Sequence, residues 1–435
     1  MGTALALKLN GRIAVRKALV ALAFTAIALP GYAMTKVTVQ QLEQTVAGIE
    51  SRGEKDGDAA QRLTELELTE RLSRARFEKL SAGLSGEKAK QALTALADGA
   101  TFLNLPEEDI LNRPRPGSAT EGKIVSRAAD FAVEAVTKMP GFYASRTTTR
   151  FQDLQVKMNY SVNQPVIVAH EGFHFLDKSN VTVLFRDGHE VVQVGNGKKK
   201  GNSVTVSTGL TNWGVFGPLL GLVMTDIMKG KIGWGHWEQG PTGPLAVFRY
   251  AVAEDRSNYS VRYCCFRGDK GDMREFQAVP GYHGEIAIDP ESGAVLRLVV
   301  KTDLEPSLPI RRADVAVEYG PVEIGGRTYI CPVKSTSIST AEALLFHQYM
   351  FYVDKKGKPD NDPTNKLKRT ETVDLPTVTA INNDEFGDYH QFRGDVRILP
   401  SEGGETNVDE PATPPTLGPD APKAPSASPV ARPEQ

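Results

Sequence analysis

Three cysteines in 435 residues are too few for a disulfide scaffold, so the fold must rest on an apolar core. Charge of one sign is not in excess either. The chain sets 51 Lys and Arg against 53 Asp and Glu, which removes the basic field that a nucleic-acid partner requires. Beyond Leu29 no run of 18 uncharged apolar residues occurs. The nearest approach, Trp213 to Met228, is broken by Gly214, Pro218, Gly221 and Asp226, so nothing there has the make-up of a membrane-crossing helix. Also missing are the G-x-S-x-G elbow, a G-x-G-x-x-G turn after a strand and a Walker loop, which removes the most legible hydrolase and nucleotide sites.

What is present begins with a leader. Lys8, Arg12, Arg16 and Lys17 precede the apolar run ALVALAFTAIAL, and small Gly31 and Ala33 follow at the places a signal peptidase reads. Residues 1–33 are therefore expected to be a signal peptide and the protein to be exported, to the periplasm or the medium. No Cys stands near the cleavage point, so a lipid-anchored N-terminus is not expected.

The mature chain changes grammar twice. Residues 34–140 are rich in Leu, Ala, Glu, Lys and Arg and read as a helical region, with Gly53, Gly57, Gly83 and Gly86 marking turns. Within it Ser118 and Glu121 are placed as a capping box, ahead of Ile124, Ala128, Phe131 and Ala135 on one helical face. Residues 141–400 read as antiparallel sheet. FYASRTTTRF from Phe142 is one strand; hairpins are expected around Asp187-Gly188, around DPESG after Ile288 and around Gly325-Gly326, and DYHQFRGDVRI from Asp388 is a late strand. One helix, about 212–229, interrupts the strands, with Trp213, Phe216, Leu220, Val223 and Ile227 in a stripe. Such a stripe packs a helix on a sheet; it is also the candidate lining for an apolar ligand. Residues 401–435 hold 8 of the 27 prolines and almost no large apolar side chain, the make-up of a disordered tail. The fold class that follows is α+β, a helical region before a curved, mostly antiparallel, half-barrel-like sheet with a covering helix.

The three thiols admit three arrangements. Adjacent residues on a strand point to opposite faces, so one of Cys264 and Cys265 can bridge to Cys331, closing a loop worth about 4 kcal/mol. Buried free thiols and a bridge between the adjacent pair are the alternatives.

The sharpest motif is His170-Glu171-Gly172-Phe173-His174, which fits the H-E-x-x-H pattern of zinc peptidases. That chemistry needs both imidazoles on one helical face, Glu171 beside a zinc-bound water and a third ligand. Val166-Ile167-Val168 favours a strand instead, and Gly172 weakens a helix. Glu190, His189, His236 and Glu238 are the conceivable third ligands, none at a distinctive spacing. No cofactor is expected.

The stretches WGVFGPLLG, GHWEQGPTGP, VRYCCF, GYHGEIAIDPESGAVLRL and VEYGPVEIGGRTYICPVKS resemble a family of uncharacterised secreted proteins from acidobacteria. From about Phe142 to Pro400 the order of hairpins and covering helix also resembles the outer-membrane lipoprotein carrier and related periplasmic half-barrels, which hold acyl chains against a curved sheet. That likeness implies a lipid or a lipoprotein as partner. The leading expectation is a non-enzymatic envelope protein binding a lipid, an acyl chain or an apolar segment. The alternatives are a zinc-dependent hydrolase using His170, Glu171 and His174, and an interaction or sensory protein that binds its partner through the helical region.

Overall fold

The structure is a computed structural model; it describes residues 34–153, 155–159, 164–168, 172–186, 188–193, 209–210, 214–267, 272–342, 351–353, 367–369 and 377–392. The expected leader at 1–33, the expected disordered tail at 401–435, His170, Glu171 and Trp213 lie outside the described residues.

The chain opens with β1 (Thr35–Val37), α1 (Val39–Arg52), α2 (Asp56–Thr64), β2 (Leu66–Leu68), α3 (Arg74–Gly83) and α4 (Glu87–Gly99). Thr38 and Gln41 cap α1 reciprocally, each side chain accepting from the other's backbone N–H. The start of α4 has no capping side chain of its own; Asp56 of α2 accepts from the N–H groups of Lys88 and Ala89 instead. Leu42, Val46, Leu63, Leu84 and Leu93 meet in a core private to these helices. The parallel pairing of β1 with β2 was not anticipated, because three-residue strands carry no periodicity.

α5 (Ser118–Thr137) departs from its expected place in the helical region. Ile124, Ala128 and Ala132 join the core of the sheet, not that of α1–α4. The capping box at its start is not formed: Gly117 caps it without a side chain, and Glu121 instead takes Arg115 at 2.6 Å.

The strands follow: β3 (Phe142–Gln152), β4 (Gln155–Asn159), β5 (Gln164–Val168), β6 (His174–Arg186), β7 (His189–Gln193) and β8 (Gly209–Leu210). After α6 (Pro218–Ile227) come β9 (Lys231–Gln239), β10 (Pro244–Val252), β11 (Val261–Arg267), β12 (Met273–Ala278), β13 (Tyr282–Ile288) and β14 (Val295–Thr302). The last are β15 (Ile310–Ile324), β16 (Arg327–Glu342), β17 (Phe351–Val353), β18 (Leu367–Arg369) and β19 (Thr377–Gln391). Ten of them form one open antiparallel sheet in the order β7, β6, β3, β19, β16, β15, β14, β13, β10, β9. Bulges at Val247/Phe248, Ala287/Ile288, Glu318/Tyr319 and Gly387/His390 bend it. The three expected hairpins are β6–β7, β13–β14 and β15–β16. In the second, Asp289 accepts from the N–H groups of Glu291 and Ser292, which makes the DPESG turn.

Both faces of the sheet are covered. Phe142, Phe185, Phe248, Tyr282, Ile286, Leu298 and Val315 face α5 and α6. Phe151, Val299, Ala316, Ile338 and Ile381 face Ala95 of α4 and Phe102. A strand covered on both sides loses its alternation, hence the consecutive Leu298, Val299 and Val300 in β14.

Two expectations are corrected. The late strand starts at Thr377, not Asp388, because INNDE, polar to the eye, pairs with β16 and β3 through Asn382, Asn383 and Asp384. The long disulfide is not made. Cys264 bonds to Cys265 on β11, while Cys331 on β16 turns into the core beneath α6 as a free thiol; β11 belongs to a separate three-stranded sheet with β8 and β12. Burial also pushes the Cys331 thiol up to about 12. A thiol reagent should therefore label nothing in the native protein and one cysteine per chain after unfolding without reductant. Two or more labelled thiols would rule out the adjacent pair.

Candidate functional site

The apolar stripe organises the α5–α6 side. The helix at 212–229 is shorter than expected: Gly214 and Gly217 take φ values of +68° and +140°, so Phe216 sits in a lead-in turn and α6 begins at Pro218. Phe216, Leu220, Val223 and Ile227 are all at most 2% exposed. The Phe216 ring lies 5.5 Å from that of Phe142 and 5.0 Å from that of Phe386, both edge-on, an arrangement worth about 0.5–1.5 kcal/mol per pair beyond area burial. The space left between Phe131 and Met139 of the α5 segment, Leu220 of α6, and Tyr319 and Ile330 of the sheet is about 10 Å³, enough for one water. The four stripe residues are thus core in this structure, and an apolar ligand enters only if α5 and α6 move.

The two ends of α6 are held differently. At the C-terminal end Asp226, fully buried, accepts from the Tyr282 hydroxyl at 2.9 Å and from the backbone and side chain of Asn258 at 2.8 and 2.6 Å. At the N-terminal end the backbone N–H groups of Gly214 and Val215 lie toward the carboxylate of Glu190 on edge strand β7 and favour its charged form. Arg146 of β3 stands 3.8 Å from that carboxylate, which leaves Glu190 Oε2 and Arg146 Nε buried without a hydrogen bond. Burial lifts the Glu190 pKa above the ordinary 4.5, against the pull of Arg146 and the two amides. A raised acid contributes stability below its unfolded value and loses it as pH rises through the folded one. The Glu190→Gln variant keeps an acceptor for the amides; its thermal midpoint should match or exceed wild type at pH 7 and fall back relative to wild type at pH 4. A variant less stable at both pH values would refute this account of Glu190.

Beside this latch the same face turns polar. Across β16, β19, β3 and β6, one cross-strand row reads Ser335, Asp384, Thr148, Ser179, and the next Ser337, Asn382, Arg150, Asp177. The Thr148 hydroxyl donates to Asp384, and Arg150 pairs with Asp177. Ser335 and Ser337 are 0% and 1% exposed, and neither hydroxyl has a hydrogen-bond partner. None of these residues stood out in the sequence, since serine and threonine are common on strands and only register gathers these into a band.

The opposite face holds a buried ionic cluster. Glu238 of β9 accepts from Arg71, ahead of α3, at 2.6 Å and from Arg297 of β14 at 2.7 Å. His236 Nε2 lies 3.6 Å from the same carboxylate, and Arg297 also reaches Glu285 at 3.4 Å. Burial alone would raise the Glu238 pKa, but the two guanidinium groups hold it well below the usual carboxylate range. Nearby, Lys334 of β16 donates to the fully buried Asp98 of α4 at 2.6 Å. These pairs cross from the helical region to the sheet, so α1–α4 are fastened to it as a layer.

His170 and Glu171 lie outside the described residues, and the described part of the zinc motif, Gly172 to His174, is not helical. Gln164–Val168 is strand β5, and His174 begins strand β6. Gly172 between them has φ +81°, and a Cβ there would come 2.0 Å from the Thr64 carbonyl at the end of α2. Its glycine is therefore a backbone requirement of close approach, and Phe173 after it packs beside Gly99 and Ile381. The conceivable third ligands are also split: Glu190 lies on the α5–α6 face, and His236 with Glu238 on the other. No protein-family profile, curated protein or solved structure matches the chain.

Proposed function

We propose that the protein is an exported, non-enzymatic binding protein of the cell envelope that takes up an acyl chain or another apolar chain between the α5–α6 layer and the open sheet. The observation that carries this reading is the contrast between the two helical layers. The α1–α4 layer is fastened by the buried pairs Asp98–Lys334 and Arg71–Glu238. The α5–α6 layer meets the sheet through apolar side chains, and α6 is pinned at its C-terminal end through Asp226 while glycines at positive φ lead into its other end. Apolar contact is non-directional, so an apolar chain of similar shape can replace it, and at the free end of α6 only the approach of the Gly214 and Val215 amides to Glu190 has to open.

Titration with a fluorescent 16-carbon fatty-acid analogue should saturate near one per chain and be reversed by palmitate. Amide exchange across 218–227 should change on binding, because α6 is the element displaced. Uptake that never saturates, or exchange in α6 that ignores the ligand, would sink the reading.

A further inference from the structure

We propose that the chain bound at this site belongs to an amphiphile whose head is uncharged and carries hydroxyl groups, of the monoacylglycerol or glycosyl-lipid class. The inference rests on the apolar-chain reading above and adds the identity of the head.

At the level of Val315 and Val317 the α5–α6 face is divided across its strands, while farther along β19, β3 and β6 it stays apolar through Phe386, Phe142 and Phe185. On β10, β13, β14 and β15 it is apolar, through Phe248, Ile286, Leu298, Val315 and Val317. At the next strand it becomes polar: Ser335 pairs with Val317, and Ser337 with Val315. An apolar chain lying on β15 would place its polar end on β16. The band is graded in burial, from the enclosed Ser335 and Ser337 through Asp384, 5% exposed, and half-buried Thr148 to exposed Ser179 on β6. That gradient runs from the apolar floor to solvent, the direction in which an amphiphile's head must point.

The chemistry of the band selects the head. A buried hydroxyl without a partner is costly, and Ser335 and Ser337 are two side by side on alternate positions of one strand. Each is both donor and acceptor, which suits another hydroxyl. The charged groups of the band are already answered: Arg150 by Asp177, and Asp384 by the Thr148 hydroxyl. Arg146 has Glu190 beside it. Arg146 keeps one free donor at Nε, but among the described residues of the band the two cations, Arg146 and Arg150, face three carboxylates, Glu190, Asp177 and Asp384, so an anionic head would be penalised and hydroxyls rewarded.

The test is displacement of the fluorescent fatty-acid analogue by 1-palmitoylglycerol and by palmitate, on the full chain and on Ser335→Ala/Ser337→Ala. Removing two partnerless hydroxyls leaves no group unpaired, so the variant should fold with an unchanged or higher midpoint. In the wild type, 1-palmitoylglycerol should displace the analogue at a concentration about 10-fold lower than palmitate, the worth of two net hydrogen bonds. The double variant should lose that preference and keep its affinity for palmitate. Equal displacement by both in the wild type, or a preference that survives the double substitution, overturns the head assignment while the apolar-chain reading stands. Failure of the analogue to bind at all removes both.

Discussion

Arg297→Ala should lower the unfolding free energy by about 3–5 kcal/mol, the range for a buried ion pair stripped of one partner. Arg297 donates to Glu238 from Nε at 3.2 Å and from Nη2 at 2.7 Å, and its side chain is 8% exposed. Its loss leaves Glu238 with Arg71 and the more distant His236 and takes away the Arg297 contact of Glu285, in a largely buried layer. Arg71→Ala should cost less, because Glu238 then keeps its two-point contact with Arg297. The pH dependence carries the sign. A depressed carboxylate contributes stability that is present above its unfolded pKa and lost as pH falls through the folded one; the Glu238 carboxyl is depressed in this way. The penalty of Arg297→Ala should therefore be largest near neutrality and shrink in acid, as measured by urea denaturation at pH 7 and pH 4. A penalty below about 1 kcal/mol at pH 7, in the range of exposed pairs, would show that the cluster holds nothing together.

The second large effect belongs to Lys334 and Asp98. Lys334→Met should cost about 3–5 kcal/mol at pH 7 by leaving Asp98 charged among apolar atoms. The double replacement Asp98→Leu/Lys334→Met should return to within about 1 kcal/mol of wild type, since a packed apolar pair of similar volume commonly equals a buried ion pair. Asp98 has one oxygen, Oδ2, with no hydrogen bond, and burial raises its pKa in spite of the lysine. A raised acid favours folding below its unfolded value and loses that contribution as pH rises through the folded value, so the single variant should regain ground in acid. Denaturation of the two variants and the wild type at both pH values gives the coupling directly. A double variant as unstable as the single one would mean that the pair gives the α4–sheet interface more than charge balance.

How much of this was written in plain residues can be told element by element. The β6–β7, β13–β14 and β15–β16 hairpins were legible because two-residue glycine turns and Asx turns are local chemistry. The α+β class was legible because helix-forming and β-branched compositions separate along the chain. The allegiance of α5 was not, since nothing in Ile124, Ala128 and Ala132 says which of two apolar partners they face. β19 was hidden because Asn382, Asn383 and Asp384 are poor strand formers held by neighbours on both sides. The candidate site was legible only in its apolar half. The stripe at Phe216, Leu220, Val223 and Ile227 follows from helical spacing, whereas the serine band and the Glu190 latch exist only through strand register. Tertiary approach also explains the glycine of the zinc-like motif: Gly172 answers to Thr64, over one hundred positions earlier, and no local reading of HEGFH contains that fact.

The sheet ends at β9 without closing, and the segment ahead of α5 lies against that edge. Ile110 bridges Glu238, the Leu111 N–H donates to the Trp237 carbonyl, and the Trp237 indole donates to the Pro114 carbonyl beneath the Arg113 guanidinium. A ladder capped in this fashion gives a second molecule no continuous row of amides on which to stack. Growth into fibres through this end of β9 is thereby obstructed by the chain's own strap.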